Sequence, residues 1–142
     1  MLKLAALDAD DLAVISAHLQ DAVLLVGDVG FNLAKQQFAL IANRFAWDAG
    51  GDPGRRRAAL HFDRVTAVKS HAIRRGEPDA VLSLLAVTFE ETRGPSGTIT
   101  LTFSGGGAIR LEVECIEASL ADLGPAWAAS RQPSHEKDGE EV

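Results

Sequence analysis

Two runs of alternating apolar and polar residues, joined by a glycine-rich link, constrain this chain more than any other feature. Ile99, Leu101 and Phe103 alternate with Thr98, Thr100 and Thr102, and Ile109, Leu111 and Val113 alternate with Arg110, Glu112 and Glu114. A period of two places each apolar set on one face of an extended strand, so the stretch predicts a hairpin with one dry face and one wet face. Both sets face the same core only if the loop holds an odd number of residues, because a one-residue slip inverts every side chain. Ser104, Gly105 and Gly106 meet that condition. Leu101 then lies opposite Ile109 and Ile99 opposite Leu111, with glycine supplying the left-handed backbone such loops require.

Ahead of the hairpin, residues 8–21 read as a helix. Asp8 suits an N-cap, Asp11 follows three residues on, and both carboxylates lie at the positive end of the helix dipole. Leu12, Ile15, Leu19 and Val23 form the stripe that such a helix would lay on a sheet. Residues 22–26 read as a short strand ended by Gly27-Asp28, and residues 38–47 as a longer one with apolar residues on both parities. Residues 48–57, with Gly50-Gly51 and Pro53-Gly54, read as a loop closed by Arg55, Arg56 and Arg57. Leu60 and Phe62 share one parity and Val65 and Ala67 the other, which calls for a bulge or bend near Asp63. After the turn at residues 74–79, residues 81–89 are the most hydrophobic segment and read as a central strand. At the other end, Ile116, Leu120 and Leu123 stand at helical spacing before Gly124-Pro125, which predicts a short C-terminal helix.

The fold class expected is therefore α+β: an antiparallel sheet of about six strands, curved or partly closed as a roll or pleckstrin-homology-like barrel, with an N-terminal helix across it and a short C-terminal helix. Length suits a single domain over residues 1–130, with residues 131–142 as a disordered acidic tail. No apolar run reaches the roughly 20 residues that cross a bilayer, and the first dozen positions carry the wrong charge order for a secretory signal. These features point to a cytoplasmic protein without membrane contact. A single cysteine, Cys115, rules out an internal disulfide and a multi-thiolate metal site.

The net charge of −6 argues against general affinity for nucleic acid or anionic membrane. Its distribution is uneven. Residues 44–75 hold eight basic and three acidic side chains, so a polyanion contact is confined to that region. Arg55, Arg56 and Arg57 are the candidate partner surface, weighed against a solvated strand edge.

Chemical motifs are sparse. Gly105-Gly106-Gly107 joins two strands without the lysine and hydroxyl residue of a phosphate loop, and turn geometry accounts for it. Glu112 and Glu114 share a wet face at a spacing of about 7 Å, too far to share one proton. His18 and His61 would matter only if one came to face those carboxylates. His71 and His135 stand apart, and no serine sits in a nucleophile elbow. No catalytic set, metal site or cofactor motif emerges.

The stretches DLAVISAHLQDAVL, PDAVLSLLAVTFE and PSGTITLTFSGGGAIRLEVECIEASLADLGPAW resemble a family of small uncharacterised alphaproteobacterial proteins, a domain of unknown function. The resemblance covers residues 2–130 and implies a bacterial cytoplasmic protein. It implies no catalytic residue. The reading that follows is a non-enzymatic binding or protein-interaction module, its partner a second protein or a second copy in a homodimer, with Arg55, Arg56 and Arg57 on the contact surface. The alternative is a small-molecule-binding protein or modest enzyme with a pocket between the first helix and the sheet, lined by His18, His61, Glu112 and Glu114.

Overall fold

The computed structural model describes residues 2–47 and 53–125. The expected acidic tail at residues 131–142 lies outside the described residues, as do Trp127 and His135. In chain order the elements are β1 (Lys3–Ala6), α1 (Ala9–Leu19), β2 (Val23–Leu25), a 3-10 turn (Val26–Asp28), β3 (Val29–Asn32), β4 (Gln37–Trp47), β5 (Pro53–Phe62), β6 (Val65–His71), β7 (Val81–Glu91), β8 (Gly97–Phe103), β9 (Ala108–Val113) and β10 (Ala118–Pro125). The strands form one antiparallel sheet in the order β1-β10-β5-β4-β2-β7-β8-β9-β6, with β3 paired to β4. It does not close, since β1 and β6 are its two end strands.

The hairpin forms in the expected register. Leu101 is opposite Ile109 and Ile99 opposite Leu111, and the Phe103 amide donates to the Gly107 carbonyl at 2.9 Å across the three-residue loop. Gly105 (φ 81°) and Gly106 (φ 92°) occupy backbone that a side chain would strain. The helix also forms where expected, with the Asp8 carboxylate accepting from the Asp11 amide at 2.8 Å. Leu12, Ile15 and Leu19 are buried, each contributing roughly 1.5–3 kcal/mol on burial.

Three expectations are overturned. The described sheet has ten strands rather than about six, and residues 118–125 extend it as β10 instead of forming a C-terminal helix. The inward residues of that segment are Ile116, Ala118, Leu120 and Asp122, a period of two, while Leu123 points outward at 52% exposure. A buried aspartate broke the apolar alternation, leaving Ile116, Leu120 and Leu123 to imitate a helical stripe. Four-residue β1 and β3 are too short to announce themselves against Lys3, Asp28 and Gly30. The strand after the arginine-rich loop also starts earlier than expected, at Pro53, so Arg55, Arg56 and Arg57 lie within β5.

The two halves of the sheet meet at β2, which pairs with β4 through Val23 and Asn43 and with β7 through residues 23–25. The chain crosses between the halves twice more. At Asp63-Arg64 it bends from β5 into β6, with Arg64 at φ 62°, and residues 114–117 carry it back from β9 to β10. The two crossings brace each other: the Asp63 amide donates to the Glu117 carbonyl at 2.8 Å and the Glu114 amide to the Arg64 carbonyl at 3.1 Å. Between the halves lies one core that includes Phe38, Leu60, Phe62, Ile99, Leu101, Phe103 and Leu111. Phe38 and Phe62 stand opposite each other in β4 and β5, their ring centroids 6.3 Å apart and the planes tilted by 44°, a favourable aromatic arrangement.

Candidate functional site

Edges that the sheet leaves unpaired border a concavity. β3 pairs with β4 on one side, and β6 pairs with β9 on one side. Hydrogen bonds pin the gap between them at both ends. The Val65 amide donates to the Gln36 carbonyl at 2.9 Å; at the far end the Val26 amide reaches the Ala80 carbonyl and the Gly27 amide the Pro78 carbonyl, each at 2.9 Å. Gly27 is required there, since a Cβ would come within 2.9 Å of Pro78 Cβ. Between these ends opens a cleft of about 400 Å³, within the range of small-molecule sites.

Strand alternation decides what faces this space. Val29 and Phe31 reach it from β3, Phe38 from β4, Val68 and Ser70 from β6, Leu82 from β7 and Ile109 from β9. After β6 the backbone turns at Ala72 (φ 56°), and the Arg75 amide folds back onto the Ile73 carbonyl at 2.9 Å. That tight turn brings both Ile73 and Arg75 onto the lining. Arg75 is the one charged residue in the lining among the described residues. Its neighbour Arg74 is paired with Glu77 at 3.5 Å, whereas the Arg75 side chain makes no ion pair among the described residues. Phe38 and Ile109 form a buried floor, and Ser70 and Arg75 are exposed at the rim.

The chain belongs to a protein family of unknown function, DUF2948, whose model matches residues 2–135. No curated protein and no solved structure matches the chain. Family membership thus spans both edges of the cleft and agrees with the resemblance carried by the hairpin and the first helix. Among the described residues no helix is long and apolar enough to cross a membrane, and no group of three or more His, Cys, Asp or Glu side chains is placed to hold a metal ion.

Residues singled out from sequence fall elsewhere. His18 is half-buried in the last turn of α1. His61 lies on β5 with its Nδ1 4.0 Å from Asp63 Oδ2. Glu112 accepts from the Thr98 hydroxyl at 3.0 Å. Glu114 lies 3.9 Å from Arg64 Nη1, and Glu117 accepts from Arg64 Nε at 3.0 Å; that pairing holds the Arg64 guanidinium above its ordinary pKa. No hydrogen bond or ion pair among the described residues joins either histidine to Glu112 or Glu114. The interface beneath α1 is filled by Leu12, Ile15 and Leu19, and the Ser16 hydroxyl there accepts from the Val87 amide at 2.9 Å. No α1 residue lines the cleft.

The three consecutive arginines do not share a face, because strand alternation turns Arg56 away from Arg55 and Arg57. Arg55 stacks 5.3 Å from the Phe45 ring centroid and donates to the Asp21 and Asn43 carbonyls at 3.1 and 3.3 Å. Sequence reading missed β3, Ile73 and Arg75. Val26, Gly30, Phe31 and Leu82 carry no chemistry individually, and Arg75 sat in a segment legible only as a turn.

A second buried feature is polar. Arg44 Nε and Nη2 each donate to Asp122, both at 2.8 Å, and the Leu2 amide adds a third bond to the carboxylate at 2.9 Å. The Arg44 and Asp122 side chains are 9% and 2% exposed. Ala58 lies opposite both Ala42 and Asp122, and its small side chain lets Arg44 on β4 reach across β5 to β10. The Arg44 guanidinium holds the Asp122 carboxyl below the usual carboxylate range, with burial opposing and the Leu2 amide assisting. This pair fastens β1, β4 and β10 together and faces no cleft-lining residue.

Proposed function

We propose that this protein is a non-enzymatic binding module whose ligand is a small, mainly apolar molecule held between β3 and β6. The observation that carries this reading is the cleft itself, about 400 Å³ of space reached mostly by apolar side chains, at the place where two strand edges stay unpaired but are pinned at their ends. Cores are otherwise packed to near-crystalline density, so such a space is a feature of the fold rather than slack. Its lining offers a hydroxyl and a guanidinium but no histidine or carboxylate to accept a proton, which favours binding over acid–base chemistry.

The test is binding of 1-octanol, a hydrocarbon with a neutral polar end, followed by amide chemical shifts. Shifts confined to residues 26–31 and 68–82 and the neighbourhoods of Phe38 and Ile109, abolished in Leu82→Trp, are expected. Shifts clustered instead under α1, or none in the cleft, would sink the reading.

A further inference from the structure

We infer that the ligand is an anionic amphiphile, a monocarboxylate with a hydrocarbon body of medium length, bound with its acid group at Arg75. This rests on the cleft being the binding site. Three observations define the chemistry. First, the side chains of Val26, Phe31, Phe38, Leu82 and Ile109 offer contact to a hydrocarbon, and the polar side chains of the lining, Ser70 and Arg75, are its exposed ones.

Second, the one charged side chain on the lining among the described residues is a cation. Arg75 is exposed on the lining, it makes no ion pair among the described residues, and Glu77 in its turn is engaged by Arg74 at 3.5 Å. The guanidinium fork is thus available to a planar carboxylate, which it matches with two parallel hydrogen bonds. The Ser70 hydroxyl, also exposed on the lining, supplies a further donor at the same rim. An acid group at Arg75 stays wet while its chain is dry, so no charge is buried.

Third, size limits the chain. A space of about 400 Å³ lies near the lower end of the roughly 300–1,000 Å³ range of small-molecule sites, which suits a chain of medium length. Octanoate is of that size.

Titration calorimetry and amide shifts with octanoate and 1-octanol test the inference, on the full chain and on Arg75→Gln, with Leu82→Trp and Val68→Trp as two independent cleft-filling variants whose folding is checked by far-ultraviolet circular dichroism. Octanoate is expected to bind the native protein about fivefold tighter than octanol at low salt, a modest factor because the cation is exposed, and the gap should narrow as salt screens it. In Arg75→Gln the two probes should bind equally, at the octanol level. At least one folded tryptophan variant should lose both. Equal binding by the native protein, or a preference for octanoate that survives Arg75→Gln, overturns the acid-group assignment and leaves the cleft reading standing. Absence of both probes from the native cleft overturns the two together.

Discussion

Two arginines stand at opposite kinds of boundary in this molecule, and their surroundings give them opposite roles. Arg44 projects from β4 into the protein, is almost fully buried, and is satisfied by a bidentate carboxylate that itself accepts a third hydrogen bond. Arg75 stands on the lining of a cleft reached mostly by apolar side chains, exposed, beside a neighbour, Arg74, that is paired with Glu77. A charge that the fold has neutralised holds strands together; a charge left facing solvent beside a hydrocarbon surface remains available to something else. Residue type alone does not separate these cases. Desolvation does, because a buried cation without its partner is intolerable and an exposed one costs nothing to leave alone.

The largest expected effect comes from breaking the closed pair. Asp122→Ala should lower unfolding free energy by about 3–5 kcal/mol, since it strands Arg44 in the interior, as measured by urea denaturation. Replacing both partners, Arg44→Met with Asp122→Leu, should recover most of that loss. A double variant no better than the single one would mean that the pair also sets strand register.

The pair also makes a pH signature. The Asp122 carboxyl has its folded-state pKa depressed, so between the folded and unfolded values the unfolded chain binds the proton more readily. The stability contributed is fully present above the unfolded aspartate value of about 3.9 and is lost as pH falls through the depressed folded value. Acid unfolding curves of the native protein should show that loss, and the Arg44→Met, Asp122→Leu variant should lack it.

A smaller effect is expected where the cleft is pinned. Gly27→Ala puts a Cβ within 2.9 Å of Pro78 Cβ and 3.1 Å of its carbonyl, so about 1–3 kcal/mol of destabilisation is expected from overpacking. Because that contact fixes one end of the gap, octanol affinity should fall as well. Unchanged affinity in a destabilised variant would separate the pinning from the binding. Least of all should Arg75→Gln matter to folding: within about 0.5 kcal/mol of the native value, against several for a change at Arg44. A large loss of stability in Arg75→Gln would erase the contrast between the two arginines.

Much of this fold was legible in local patterns. Ile99, Leu101 and Phe103 with Ile109, Leu111 and Val113 specified their own register, because a period of two and an odd loop leave one solution. Asp8 and the Leu12, Ile15, Leu19 stripe specified α1 in the same way. The candidate site was not legible. His18, His61, Glu112 and Glu114 attracted notice for their chemistry, yet the fold sets them on α1, β5, β9 and the crossing after β9, each with separate surroundings. Val29, Phe31, Ile73 and Leu82 attracted none and line the cleft together.

What the sequence determined by itself was whatever depends on neighbours within a few residues: strand faces, the capped helix, the glycine loop and the bend at Asp63. Tertiary structure decided which strand edges would meet and which would stay apart, and whether residues 118–125 would coil or extend. That last choice turned on Asp122, which reads as a surface residue until Arg44, contributed from two strands away, makes its burial favourable. The cleft has the same origin. It is an absence of pairing between β3 and β6, and a missing contact leaves no mark on the order of the amino acids.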